Sequence, residues 1–73
     1  MGDLKICFGC RLAWLRKQRS LTQEGLAEAA NVSVDFISLM ERGRRAPSFD
    51  TLERLADTLG VTVTDLFTFD SER

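Results

Sequence analysis

Seventy-three residues, 44% of them apolar and 29% charged, fit one small globular domain with little surface to spare for its core. One proline, five glycines and the absence of any low-complexity tract argue against a disordered chain. No apolar run is long enough to span a bilayer, and the start lacks the charged-then-apolar pattern of a leader, so a cytoplasmic protein without membrane contact is expected. The net charge of −1 conceals a segregation: residues 1–45 carry eight basic against five acidic side chains, residues 46–73 two against six. A basic half can meet a polyanion whatever the total, because the local field decides.

Five short helices follow in chain order, making the fold class all-α. Phe8, Leu12 and Leu15 fall at i, i+4 and i+7, the stripe of an amphipathic helix of about three turns, with Arg11, Arg16, Lys17 and Arg19 on its other faces. Thr22 is the expected N-cap of a second helix burying Leu26, Ala27 and Ala30, and Asn31 suits a left-handed stop. Ser33 caps a third helix with an inward stripe of Phe36, Ile37 and Met40, ended by Gly43. Arg44 to Pro47 form the one extended connection. Ser48 or Asp50 opens a fourth helix with Leu52, Leu55, Ala56 and Leu59 inward, closed by Gly60. Val61 to Thr64 have strand propensity but no partner strand, so Thr64 is expected to cap a short final helical turn carrying Leu66 and Phe67.

The second and third helices are joined by a turn of about three residues, Ala30 to Val32, which is helix-turn-helix spacing. Spacing of this kind occurs in any small bundle. Residues 21–43, LTQEGLAEAANVSVDFISLMERG, carry more: Leu21-Thr22-Gln23, Leu26-Ala27, Val32-Ser33, Ile37-Ser38 and Glu41-Arg42-Gly43 resemble the Cro/repressor-like helix-turn-helix family. The resemblance continues through Pro47, Leu52, Leu55-Ala56, Leu59-Gly60-Val61 and Leu66-Phe67, and back to Phe8-Gly9 and Arg11-Leu12, about residues 8–67. It implies a compact five-helix domain, with the helix-turn-helix at about 22–42, in a single domain of residues 1–73. It also implies a sequence-specific regulator of transcription that binds a palindromic duplex as a dimer. Small stand-alone members, such as restriction–modification controller proteins and phage regulators, are similar in size, and the chain has no room for a separate effector or catalytic domain.

The resemblance assigns roles residue by residue. Thr22 and Gln23 would grip a phosphate at the N-terminus of the second helix, where free N–H groups and the helix dipole favour an anion; capping alone is the plainer role. Arg16 and Glu41 match a family ion pair that holds the guanidinium near the DNA backbone. Arg42, Arg44 and Arg45 would clamp phosphates, unless they line a merely solvated loop. After the cap Ser33, the base-reading positions would be Val34, Asp35, Ser38 and Leu39. None of these is the arginine, lysine, asparagine or glutamine that makes the commonest bidentate base contacts. Val34 and Leu39 therefore either touch thymine methyls or meet a protein, and a protein-interaction module on the same fold, antitoxin-type or adaptor, is the rival reading.

Cys7 and Cys10 form a CxxC. With no histidine and no other cysteine, a zinc site would need carboxylates or a second subunit, and the βαβ context of thioredoxin-like chemistry is missing. Packing cysteines are the plain reading, with a redox-sensitive pair or a metal shared between subunits as alternatives. No metal or cofactor is expected. Trp14 either covers Leu4 and Ile6 or joins a partner surface. A chain without histidine, a carboxylate pair in a cleft or a phosphate-cradling loop is not expected to be an enzyme. A homodimer interface is expected around Val63, Leu66, Phe67 and Phe69.

Overall fold

The computed structural model describes residues 3–69; the acidic Asp70 and Glu72, and Arg73, lie outside the described residues. Five helices follow one another: α1 (Leu4–Gln18), α2 (Gln23–Ala30), α3 (Val34–Glu41), α4 (Phe49–Leu59) and α5 (Val63–Leu66), with no strand among the described residues. The expected all-α architecture is the observed one.

Four of the five starts are built by a hydroxyl that accepts from the backbone N–H three residues on: Thr22 from Gly25, Ser33 from Phe36, Ser48 from Thr51 and Thr62 from Asp65. Each supplies an acceptor to a donor that the helix itself leaves unpaired. The last cap corrects an expectation. Thr62, not Thr64, opens α5, because Asp65 returns a carboxylate to the Thr62 N–H at 3.0 Å and closes a capping box. Asn31 and Gly60 end α2 and α4 in the left-handed conformation, with φ of 60° and 71°.

The helix α1 begins a turn before its expected stripe. Leu4 and Ile6 extend it while remaining exposed, so its apolar periodicity starts only at Phe8. The core gathers Phe8, Leu12 and Leu15 from α1, Leu26, Ala27 and Ala30 from α2, Ile37 and Met40 from α3, and Leu52, Leu55, Ala56 and Leu59 from α4. Phe36, expected in the inward stripe of α3, is only half-buried against that cluster. Leu66 is completely buried, which removes it from the expected dimer surface: its side chain is already inside the monomer.

Two contacts fix how α1 lies on its neighbours. A Cβ at Gly9 would collide with the backbone carbonyl oxygens of Met40 and Glu41, so glycine is what lets α1 and α3 approach this closely. On other faces of α1, the Arg19 Nε donates to the Leu59 carbonyl at 2.6 Å and the Arg11 Nε donates to the Asp65 carbonyl at 2.8 Å. Both arginines satisfy carbonyls at helix C-termini, where the dipole is negative and acceptors are left over.

Candidate nucleic-acid interface

The corner where α1, α2 and α3 meet is held by one charge network. Arg16, in the last turn of α1, pairs bidentately with Glu41 at the end of α3: Nε to Oε2 at 2.6 Å and Nη2 to Oε1 at 3.0 Å. Its Nη1 donates to the Leu21 carbonyl at 2.8 Å in the turn before α2. Gln23, the first residue of α2, donates its side-chain amide to Glu41 Oε1 at 2.9 Å. The two charged side chains are only 11% and 7% exposed. Its hydrogen bond to the Glu41 carboxylate holds the Arg16 guanidinium above its ordinary pKa, against the opposing effect of burial, so it stays charged.

The geometry redistributes the expected site. Arg16 sits inside the corner with all three guanidinium nitrogens donating internally, so its place is beneath the surface. Gln23 keeps one amide proton beyond its bond to Glu41. Thr22 and Ser33 are exposed, and each uses an oxygen lone pair for capping, which leaves the hydroxyl proton to donate outward. Capping and anion contact are therefore compatible at both positions.

Along the outer side of α3, Val34 is 38% exposed, Asp35 is exposed, and Ser38 and Leu39 are half-buried. Arg42, Arg44 and Arg45 are all exposed in the loop that follows. Arg45 lays its guanidinium over the Phe36 ring, 5.3 Å from the centroid, which ties the loop to α3. An open hollow of about 440 Å³ runs from Ser33, Asp35 and Leu39 across Arg45 to Thr51 and Arg54 on α4. Arg54 was missed by sequence reasoning. Its signal is the i, i+3 step from the buried Thr51, which turns it toward α3.

A second surface lies around the start of α4. Phe49, the first residue of that helix, is 86% exposed and had no place among the expected residues. Apolar hollows flank it, one shared with Leu4, Pro47 and Leu52 and one with Leu52, Val63 and Phe67. Phe67 is half-buried and stacks on Phe8 with centroids 5.3 Å apart, and Phe69 meets Phe67 edge-on at 6.2 Å. Trp14 carries Arg11 over its ring at 5.0 Å, while Leu4 and Ile6 remain exposed.

Comparison with known proteins agrees with this geometry. The family described as "helix-turn-helix domain" matches residues 8–67. The HTH-type transcriptional regulator DdrOP3 of Deinococcus deserti is 48% identical over 63 residues, 86% of this chain, which spans only 47% of that protein. Control protein C.MunI of a Mycoplasma species is 38% identical, with 92% of both chains covered. The crystal structure of the restriction–modification controller protein C.AhdI from Aeromonas hydrophila superposes with a TM-score of 0.85 at 34% identity, covering 92% of this chain and all of that one. A match over most of the chain leaves one conclusion: the chain belongs to the helix-turn-helix domain family.

Proposed function

We propose that the protein is a DNA-binding regulator of transcription, reading duplex DNA through α3 and holding its backbone through the N-terminus of α2 and the loop after α3. The observation that carries this is the locked corner. A largely buried bidentate pair joins α1 to α3, the Gln23 amide and the Leu21 carbonyl tie the start of α2 to the same pair, and exposed arginines follow on the loop after α3. Thr22 and Gln23 grip phosphate, Arg42, Arg44 and Arg45 neutralise the neighbouring backbone, and Ser33, Val34, Asp35, Ser38 and Leu39 face the groove. Arg16 acts as a positioning residue. The similarity to named transcriptional regulators and control proteins supports the same reading. Residues 8–67 act as one cytoplasmic, non-enzymatic binding unit.

One recognition helix covers a short stretch of groove, so binding as a homodimer to a palindromic operator belongs to the proposal, with half-sites ~34–36 Å apart. Val63, Phe67 and Phe69 from the expected surface, joined by Phe49, supply the apolar contact.

Selection of bound duplexes from a random pool, followed by titration at several salt concentrations, tests the proposal. The expected result is a symmetric consensus and a steep fall of log affinity with log salt. A flat salt response with no enriched sequence would overturn it in favour of a protein-interaction module.

A further inference from the structure

The two cysteines take no part in the DNA-binding reading, yet they share one surface feature. Cys7 and Cys10 stand three residues apart on α1, one half-buried and one exposed, both as free thiols. They line the same hollow of about 320 Å³, whose other walls are Ile6, Arg11 and the ring of Phe69. The chemistry of those walls narrows what fits. An apolar cavity of about 150 Å³ takes a benzene ring, so the hollow has room for an aryl group beside the two sulfurs.

Spacing decides how the thiols combine. Cβ atoms three apart on a helix are about 5–6 Å from one another, whereas a disulfide needs about 3.5–4.5 Å. A direct bond would bend α1, but a single interposed atom spans the gap. Among the described residues no third histidine, cysteine, aspartate or glutamate joins the pair to complete a metal set, and a tetrahedral zinc wants four ligands. Arg11 places a fixed positive charge on the wall, held there by its bond to the Asp65 carbonyl and by the Trp14 ring. That charge disfavours a cation and leaves a neutral centre unopposed.

We propose that this hollow is a binding site for a monosubstituted trivalent arsenical, a neutral thiophilic centre that two sulfurs bridge while its carbon substituent lies against Ile6 and Phe69. The reaction balances without an oxidant. Each thiol gives up its proton, two As–S bonds form, and the arsenical's oxygen leaves as water with arsenic still trivalent. Phe69 is the wall that α1 does not provide, so occupancy ties the segment after α5 to α1.

Phenylarsine oxide added to the full chain tests this. The expected result is one arsenic per chain by intact mass, loss of both reactive thiols, and a change in emission from Trp14, the sole tryptophan and one turn beyond Cys10. The adduct should survive excess glutathione and be stripped by a small dithiol. Closing the second As–S bond is intramolecular, so Cys10→Ser should lower apparent affinity about a hundredfold. Phe69→Ala should weaken phenylarsine oxide severalfold and leave its methyl counterpart unchanged. Equal retention by wild type and Cys10→Ser, one arsenic bridging two chains, or preference for Zn²⁺ over the arsenical would each overturn the site.

Discussion

Replacing Arg16 or Glu41 with alanine probes the corner on which the functional reading depends. Arg16→Ala removes a bidentate partner from a carboxylate that is 7% exposed and leaves it with the Gln23 amide; it also strips a donor from the Leu21 carbonyl. Glu41→Ala leaves a guanidinium, 11% exposed, with one backbone acceptor. Breaking one member of a buried pair costs ~3–5 kcal/mol, and the residual exposure here puts each single change at the lower end. A double mutant loses both charges together, so it should be no less stable than either single one. The coupling energy is therefore expected at ~3 kcal/mol, the top of the range for residues in one network. Urea denaturation of the four proteins measures it, provided the m-values agree. The pair should hold across neutral pH. Arg16 has its folded pKa raised above its ordinary value by Glu41, so the stability it contributes is fully present below that ordinary value and is lost only as the pH climbs through the folded one in strong alkali. A coupling under ~0.5 kcal/mol, ordinary for an exposed ion pair, would refute the claim that the network locks the corner.

Two further predictions concern the surfaces. Arg44→Ala should weaken all duplexes about equally and lower the salt slope by ~0.9, one phosphate contact's worth; an unchanged slope with one lost base preference would reassign Arg44 to base reading. Phe49→Asp should shift sedimentation from dimer to monomer and leave the circular dichroism spectrum intact, because the 86% exposed ring makes little of the core; an unchanged dimer would move the interface elsewhere.

Much of the fold was legible because its signals are local. Thr22, Ser33 and Ser48 cap within three residues, and Asn31 and Gly60 stop their helices through a backbone conformation that few other residues accept. The extra turn of α1 was not legible, since Leu4 and Ile6 extend the helix without joining the buried stripe on which a periodicity reading relies. Thr62 and Thr64 offer the same hydroxyl, and only the reciprocal bond from Asp65 separates them. The carbonyl bonds of Arg11 and Arg19 were not legible, because their acceptors lie 54 and 40 residues away. The candidate site divides the same way. The Arg16–Glu41 pair was readable through family resemblance, whereas the share of Gln23 in it, the place of Arg54 on the hollow that Asp35 also lines and the exposure of Phe49 are products of packing.

Asp35 is the sharpest test of specificity. It occupies the first turn of α3, exposed, with no ion pair among the described residues and with Arg45 and Arg54 lining the same open hollow. The helix dipole favours a carboxylate there by ~0.3–1 kcal/mol, so removal should cost little stability. Against DNA the balance differs. A carboxylate facing phosphates is repelled unless it meets a donor, and the donor that the major groove offers is the cytosine amino group. Wild-type protein should therefore select half-sites with cytosine opposite Asp35 and thymine beside Val34 or Leu39, whose apolar surfaces suit its methyl group. Asp35→Ala should relax the preference at that one base pair by ~1–3 kcal/mol while raising affinity for unrelated duplexes, because a repulsive charge has gone. Asp35→Asn separates the two effects: it removes the charge, keeps an acceptor, and brings a donor that fits adenine. Its preference should move toward adenine instead of vanishing. Identical selected sites for all three proteins would mean that α3 does not read bases through Asp35, and the protein-interaction reading of that face would gain the ground that specificity lost.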